Sequence, residues 1–223
     1  MGYRREPLAV GEWYHCYNRG LDKRVVFNDT VDYERFLQAL YLSNSSEPTD
    51  RNAFEHIEHP RVFLRNRSAP IVAIGAYTLM PNHFHILLQE IVEGGITRFM
   101  HKLGTSYTMY FNIKNKRNGN LFAKPFRSRH VSKDGYFKHV AQYIHLNLAE
   151  LFEREWRSGK VASPSTLEKN MRAYRFSSLQ DYCGIRRVER VILNEDSVRT
   201  ISEGLPTLMR SLRDAEAYYA GLS

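Results

Sequence analysis

The sequence predicts an α+β sandwich of the ferredoxin-like kind. An antiparallel sheet carries helices packed on one face, and a helical or irregular appendage follows at the C-terminus. Two observations carry this prediction. The element order reads strand, helix, strand, strand, helix, then a further extended segment and a helix. After Trp156 the chain turns polar, with Ser-Gly-Lys and Ser-Pro-Ser. The break divides the chain into a domain over 1–155 and an extension over 156–223 that packs on it or trails from it. With 223 residues, 43% of them hydrophobic and 25% charged, the chain can bury a sizeable core and is not composed like a disordered one.

Glu12 to Tyr17 is rich in aromatics and reads as the first strand, closed by a turn at Asn18-Arg19-Gly20. Asn28-Asp29-Thr30 offers an N-cap. Tyr33, Phe36, Leu37, Leu40 and Tyr41 then follow helical spacing. Ser43 to Pro70 is polar and mixed, a long loop with a short helix around Phe54–Ile57. Ile71 to Leu79 is apolar and β-branched. Met80-Pro81-Asn82 interrupts it, and His83 to Glu90 resumes, which makes a hairpin. Glu93-Gly94-Gly95 breaks the chain before a second helix marked by Ile96, Phe99, Met100, Leu103, Tyr107, Tyr110 and Phe111. A loop or short hairpin runs from Asn118-Gly119 to Val131. Ser132 caps a third helix with Tyr136, Val140, Tyr143, Ile144, Leu148 and Leu151 on its apolar side.

Charge is distributed unevenly. The chain has 32 Lys and Arg against 24 Asp and Glu, a net charge of +8. Nine basic residues fall between Glu93 and Asp134 with no acid among them: Arg98, Lys102, Lys114, Lys116, Arg117, Lys124, Arg127, Arg129 and Lys133. The rest of the chain is close to neutral. Phe99, Tyr107, Tyr110, Phe111, Phe122 and Phe126 are interleaved with them. Phosphate-neutralising groups beside rings that stack on bases compose a single-strand or hairpin nucleic-acid surface. Core rings under a solvated basic face have the same composition. Arg19, Lys23 and Arg24 add phosphate contacts or solubility. No apolar run is long enough for a transmembrane helix, and Met1-Gly-Tyr-Arg-Arg-Glu-Pro resembles no signal peptide. Cys16 and Cys183 fit no metal spacing and read as reduced thiols of a cytoplasmic protein.

His83 and His85 flank Phe84 in a strand. A period of two sets both imidazoles on one face, where they can hold a divalent metal. Tyr143 and Asn147 stand one helical turn apart on a common face. An Asn oxygen can complete a metal site, and a Tyr hydroxyl can attack phosphorus. The same spacing also suits a core aromatic and a surface asparagine.

Met-Pro-Asn-His-Phe-His-Ile-Leu-Leu at 80–88 resembles the His-hydrophobic-His motif of the single-tyrosine HUH transposases, and Tyr-Ile-His-Leu-Asn at 143–147 resembles their nucleophile helix. Further likeness is to the REP-associated tyrosine transposases. It lies in Tyr14 to Gly20, in Asp32-Tyr33 with Phe36, in Gly119 to Phe122 with Phe126 and Arg127, and in Tyr174 to Ser178 with Tyr182. One departure is Leu148, where that family usually has Pro after the helix Asn. The resemblance implies a metal-dependent single-stranded DNA endonuclease and strand transferase that acts on hairpin DNA. It implies His83, His85 and Asn147 as ligands of Mg²⁺ or Mn²⁺, Tyr143 as the nucleophile that forms a 5′-phosphotyrosine, and the basic segment as the DNA path. It is compatible with a homodimer or a monomer. Two other readings stand beside it, a non-catalytic DNA- or RNA-binding protein and a metal-dependent phosphohydrolase.

Overall fold

The structure, a computed structural model, describes residues 7–48, 59–131, 136–158, 160–203 and 210. The chain opens with β1 (Trp13–Arg19) and α1 (Thr30–Ser43), joined through a 3₁₀ turn at Leu21–Lys23. A single turn, α2 (His59–Val62), precedes the hairpin of β2 (Val72–Met80) and β3 (His83–Glu90). There follow α3 (Gly95–Lys114), β4 (Arg127–His130) and α4 (Tyr136–Leu146). Beyond these lie α5 (Pro164–Ala173), α6 (Leu179–Tyr182) and α7 (Glu195–Ser202). The four strands form one antiparallel sheet in the order β2-β3-β1-β4. The predicted α+β class and the hairpin are therefore present. The segment after Asn118 is not a hairpin of its own; it ends in β4, which pairs with β1. Phe54–Ile57, Ser132 and Lys133 lie outside the described residues.

The pleat assigns the two faces. Tyr14, Cys16, Phe84, Ile86 and Leu88 turn to one side, where they pack with Phe36 and Leu40 of α1 and Phe99, Leu103 and Tyr107 of α3. Helices were expected on one face of the sheet. The other face is covered too, because Ala76 and Leu87 meet Ala141 and Ile144 of α4 and Ile201 of α7. The reason lies in β2. All nine of its residues are buried, so one helical layer would leave half of its side chains in water.

Three carboxylates set the helices that carry the first face. Asp29 accepts from the Asp32 amide to cap α1, and Asp32 accepts from the Asn28 amide. The Glu90 carboxylate caps α3 through the amides of Gly94 (2.7 Å) and Ile96 (2.8 Å). Gly95 has to be glycine there, since a Cβ would fall 2.2 Å from the Ile71 carbonyl oxygen.

β2 lies at the sheet edge yet exposes no ladder. Residues 176–178 run along it: the Ser178 amide donates to the Tyr77 carbonyl (3.0 Å) and the Leu79 amide to the Phe176 carbonyl (3.0 Å). Arg187 fixes this segment. Its guanidinium reaches the Asp181 carboxylate (2.6 Å), the Tyr77 hydroxyl (2.6 Å) and the carbonyls of Arg175 and Ser177. Trp156, Leu167 and Met171 pack with Met80, Leu146 and Leu148, so residues on both sides of position 155 share a core. No helix among the described residues is long and apolar enough to cross a membrane.

Asp181 is fully buried and its Arg187 partner nearly so. Arg187→Ala would strand that carboxylate. We expect a loss of about 3–5 kcal/mol in urea unfolding. A loss under about 1 kcal/mol would show that the ion pair does not anchor the extension.

Candidate active site

β3 turns Phe84 into the core and His83 and His85 to the opposite face. The register with β1 sets Arg19 opposite His83 and Tyr17 opposite His85. Directly paired residues share a face, so Arg19, Tyr17 and His15 join the imidazoles. His15 Nε2 lies 2.9 Å from His85 Nδ1, with the rings stacked at 5.0 Å. Tyr17 stacks on His85 at 5.6 Å, and His83 meets His85 edge-on at 5.0 Å. His83 Nδ1 lies 2.6 Å from Asn82 Oδ1, and Asn82 Nδ2 donates to the Lys23 carbonyl at 3.1 Å.

Burial holds these rings neutral. It takes His83 down to about 4, helped by the nearby Arg19 charge. It takes His15 to about 4, helped by Arg129. His85 is held well below the usual histidine value by burial, then by His15 and His83. Neutral imidazoles are the form that binds a metal.

Tyr143 projects from α4, half-buried, with its ring edge-on to His15 at 5.9 Å. Asn147 does not continue α4; it begins a 3₁₀ turn over Asn147–Leu151. Its side chain is buried, and Nδ2 donates to the Tyr143 carbonyl at 2.9 Å, which ties the two positions together. The same turn brings Glu150 close enough to His83 for its charge to be felt there, and Arg157, paired with Glu150 at 2.7 Å, acts on both His83 and His85. His145 lies elsewhere, buried against Ser178 Oγ at 2.7 Å.

Sequence reasoning missed two residues. His15 was legible only as part of a strand signature, although its alternation with Tyr17 against His85 places it on the site face once the register is known. Arg157 lies in the polar stretch after Trp156 and carried no signal of its own.

The basic segment is not one surface, because the sheet divides it. Arg127 and Arg129 pair with Tyr17 and His15, so with Arg19 they line the imidazole face, all three exposed. Lys102, Lys114 and Arg117 are engaged structurally on the α3 side. Lys102 donates to the Ser45 and Glu47 carbonyls. Lys114 bonds Asp29 (2.7 Å) and the buried Asp32 (2.6 Å). Arg117 holds Asn112 Oδ1 and the Asn120 carbonyl. Arg98 donates to the Glu93 carbonyl on α3, while Lys116 and Lys124 are exposed in and beside the loop after it.

The donor types, taken together, would suit a divalent cation of intermediate hardness. Two imidazole nitrogens and a carboxamide oxygen suit Mn²⁺ better than Mg²⁺, which prefers oxygen. Among the described residues no three of His, Cys, Asp and Glu are placed to hold a metal.

Residues 61–147 match the family model of IS200-like transposases. That span holds the hairpin, α3, β4 and the helix of Tyr143, and so contains His83, His85, Tyr143 and Asn147. The fold is also that of a solved REP-associated tyrosine transposase bound to a REP hairpin, with a TM-score of 0.52 and 16% identity over 85% of this chain and 90% of that one. No curated protein matches the chain. The match to the transposase family supports a DNA-cleaving enzyme.

The buried histidines make stability depend on pH. His15 and His83 sit at about 4 and the fully buried His145 at about 3, against 6.5 when unfolded. Below 6.5 the unfolded chain binds more protons than the folded one, so acid favours unfolding. The urea midpoint should be flat above pH 7 and fall steadily from about pH 6.5 towards pH 4. A midpoint unchanged over that window would mean these rings are not desolvated.

Proposed function

We propose that this chain is a metal-dependent single-stranded DNA endonuclease and strand transferase that acts on hairpin DNA through a 5′-phosphotyrosine. One observation carries the reading: a pair of neutral imidazoles and a tyrosine on the helix above them meet through His15 on a sheet face rimmed by three exposed arginines. The same residues lie within the span that matches the transposase family.

In this reading Arg19, Arg127 and Arg129 neutralise phosphates of the bound strand, and Tyr17 offers a ring for a base to stack on. His83, His85 and Asn147 hold the divalent ion. Such an ion supplies positive charge for the scissile phosphate as its transition state forms. The Asn147–Tyr143 hydrogen bond ties the ligand helix turn to the nucleophile, so both are positioned together. Tyr143 Oη forms a bond to phosphorus, the bond from phosphorus to the 3′ oxygen breaks, and that oxygen leaves as a hydroxyl after taking a proton. The phenol proton that Tyr143 gives up balances the one the 3′ oxygen takes. Because the phosphodiester is conserved as an ester to tyrosine, a second 3′-hydroxyl can rejoin the strand by the reverse step.

A denaturing gel of protein, hairpin-bearing single strand and Mn²⁺ tests the nucleophile. We expect a covalent adduct with the wild type. Tyr143→Phe keeps the ring and should bind DNA normally, yet form no adduct. An adduct from the Phe variant would contradict the assignment. Free nicked product without adduct would point to a hydrolase, and a native shift alone to a binder.

Salt dependence tests the DNA path. Each phosphate contact to a single strand adds about −0.7 to the slope of log K against log salt. Arg127→Ser with Arg129→Ser should therefore flatten the slope by about 1.4. Lys114→Ser should leave the slope unchanged and lower stability instead, because it strands the buried Asp32.

A further inference from the structure

The two histidines among the proposed metal ligands each have one ring nitrogen already spoken for, and the identity of each partner decides which nitrogen remains. At His83 the assignment is closed. Asn82 Nδ2 faces the Lys23 carbonyl, which can only accept, so the amide orientation is fixed and Oδ1 is the atom that faces His83 Nδ1. Oδ1 also only accepts. The proton of neutral His83 therefore sits on Nδ1, and Nε2 keeps a bare lone pair. The carbonyl that orients Asn82 belongs to a turn in which Asp22 and Lys23 both hold positive φ, 56° and 59°. Such a conformation persists only where its surroundings impose it. Here the Leu21 amide bonds the Leu121 carbonyl and the Gly20 amide bonds Asn82's own carbonyl.

At His85 the partner is another histidine. With both rings neutral, one of them donates across the 2.9 Å contact. If His15 donated, His85 would carry its proton on Nε2 and have no nitrogen left to bind a cation. If His85 donates, its Nε2 is bare and the His15 proton sits on Nδ1. His15 is nearly buried between the rings of Tyr17 (5.1 Å), His85 and Tyr143, which restricts its rotation. The same contact occupies His15 Nε2, so His15 is not itself a third imidazole ligand.

We infer that Asn82 and His15 are positioning residues. They lock His83 and His85 in the Nδ1-protonated form and leave both Nε2 lone pairs free for a divalent cation. Hydrogen-bond partners of this kind raise ligand basicity as well as fixing ring orientation, and losing one costs about 10- to 100-fold in metal affinity. The arrangement also links metal binding to the tyrosine, because the ring that accepts from His85 is the one against which Tyr143 rests. The inference builds on the metal-dependent reading above, and its test separates the two.

Two readouts apply to the full-length protein, with circular dichroism as the check that each variant is folded. Long-range ¹H–¹⁵N spectra of the metal-free wild type should show His83 and His85 protonated at Nδ1. Mn²⁺ titration followed by electron paramagnetic resonance should show His15→Phe and Asn82→Ala each binding about 10- to 100-fold more weakly. His15→Gln, whose Oε1 can accept in place of Nε2, should recover most of that loss. Wild-type affinity in folded His15→Phe, or His83 protonated at Nε2, would overturn the inference. If the wild type itself binds no Mn²⁺, the metal reading fails, and the spectra decide alone: Nδ1 protonation upholds the lock and Nε2 protonation overturns it.

Discussion

The alternation of β3 is the constraint on which the rest of the molecule depends. Four consecutive residues do opposite jobs: His83 and His85 face the site while Phe84 and Ile86 anchor the α1–α3 core. A slip of one residue against β1 would exchange the two sets, driving imidazoles into an aromatic core and phenyl rings into solvent. The register is held at both ends. At one end the Gly20 amide bonds the Asn82 carbonyl, and Val26 and Phe27 bond that of Pro81; at the other the Gly11 and Glu90 backbones pair. The chemistry is thus fixed by the same packing that stabilises the fold, and a site built on a strand is held more rigidly than one on a loop.

The second face of the sheet is shared between structure and function. α4 and α7 cover the β2–β3 end, where Ala76 and Leu87 lie. The β1–β4 end, with Tyr17, Arg19, Arg127 and Arg129, stays open beside the imidazoles. Residues 176–178 seal the edge of β2 and Arg187 locks them there, so the sheet ends in protein on one side and in exposed cationic side chains on the other. The sealed β2 edge and the proposed DNA path over β1 and β4 therefore lie at opposite edges of the sheet.

Much of this was legible in the sequence. The hairpin, the capped α1 and the apolar stripe of α3 follow from periodicity and capping residues, and period two alone places His83 with His85. Three things were not. Helices on both faces depend on how β2 is buried, and an all-apolar strand does not say what covers it. The charge segment looked uniform because sequence shows proximity along the chain, whereas Lys114 and Arg127 lie on opposite sides of the sheet. Lys114 in particular serves the buried Asp32, 82 positions earlier, which no local pattern announces. His15 was visible as a residue but not as a partner, since its contact with His85 spans 70 positions and needs the β1–β3 register.

The central claim is that DNA crosses the imidazole face over β1 and β4, and not the α3 face where most of the basic segment lies. Photocrosslinking tests this directly. A hairpin-bearing single strand with 5-iodouracil next to the cleavage position would be irradiated in complex with Tyr143→Phe, and the attached peptides identified by mass spectrometry. The account predicts attachment at Tyr17 and the β4 peptide. Attachment at Tyr110 or Phe126, with none at Tyr17, would put the strand on the other side of the sheet and contradict it.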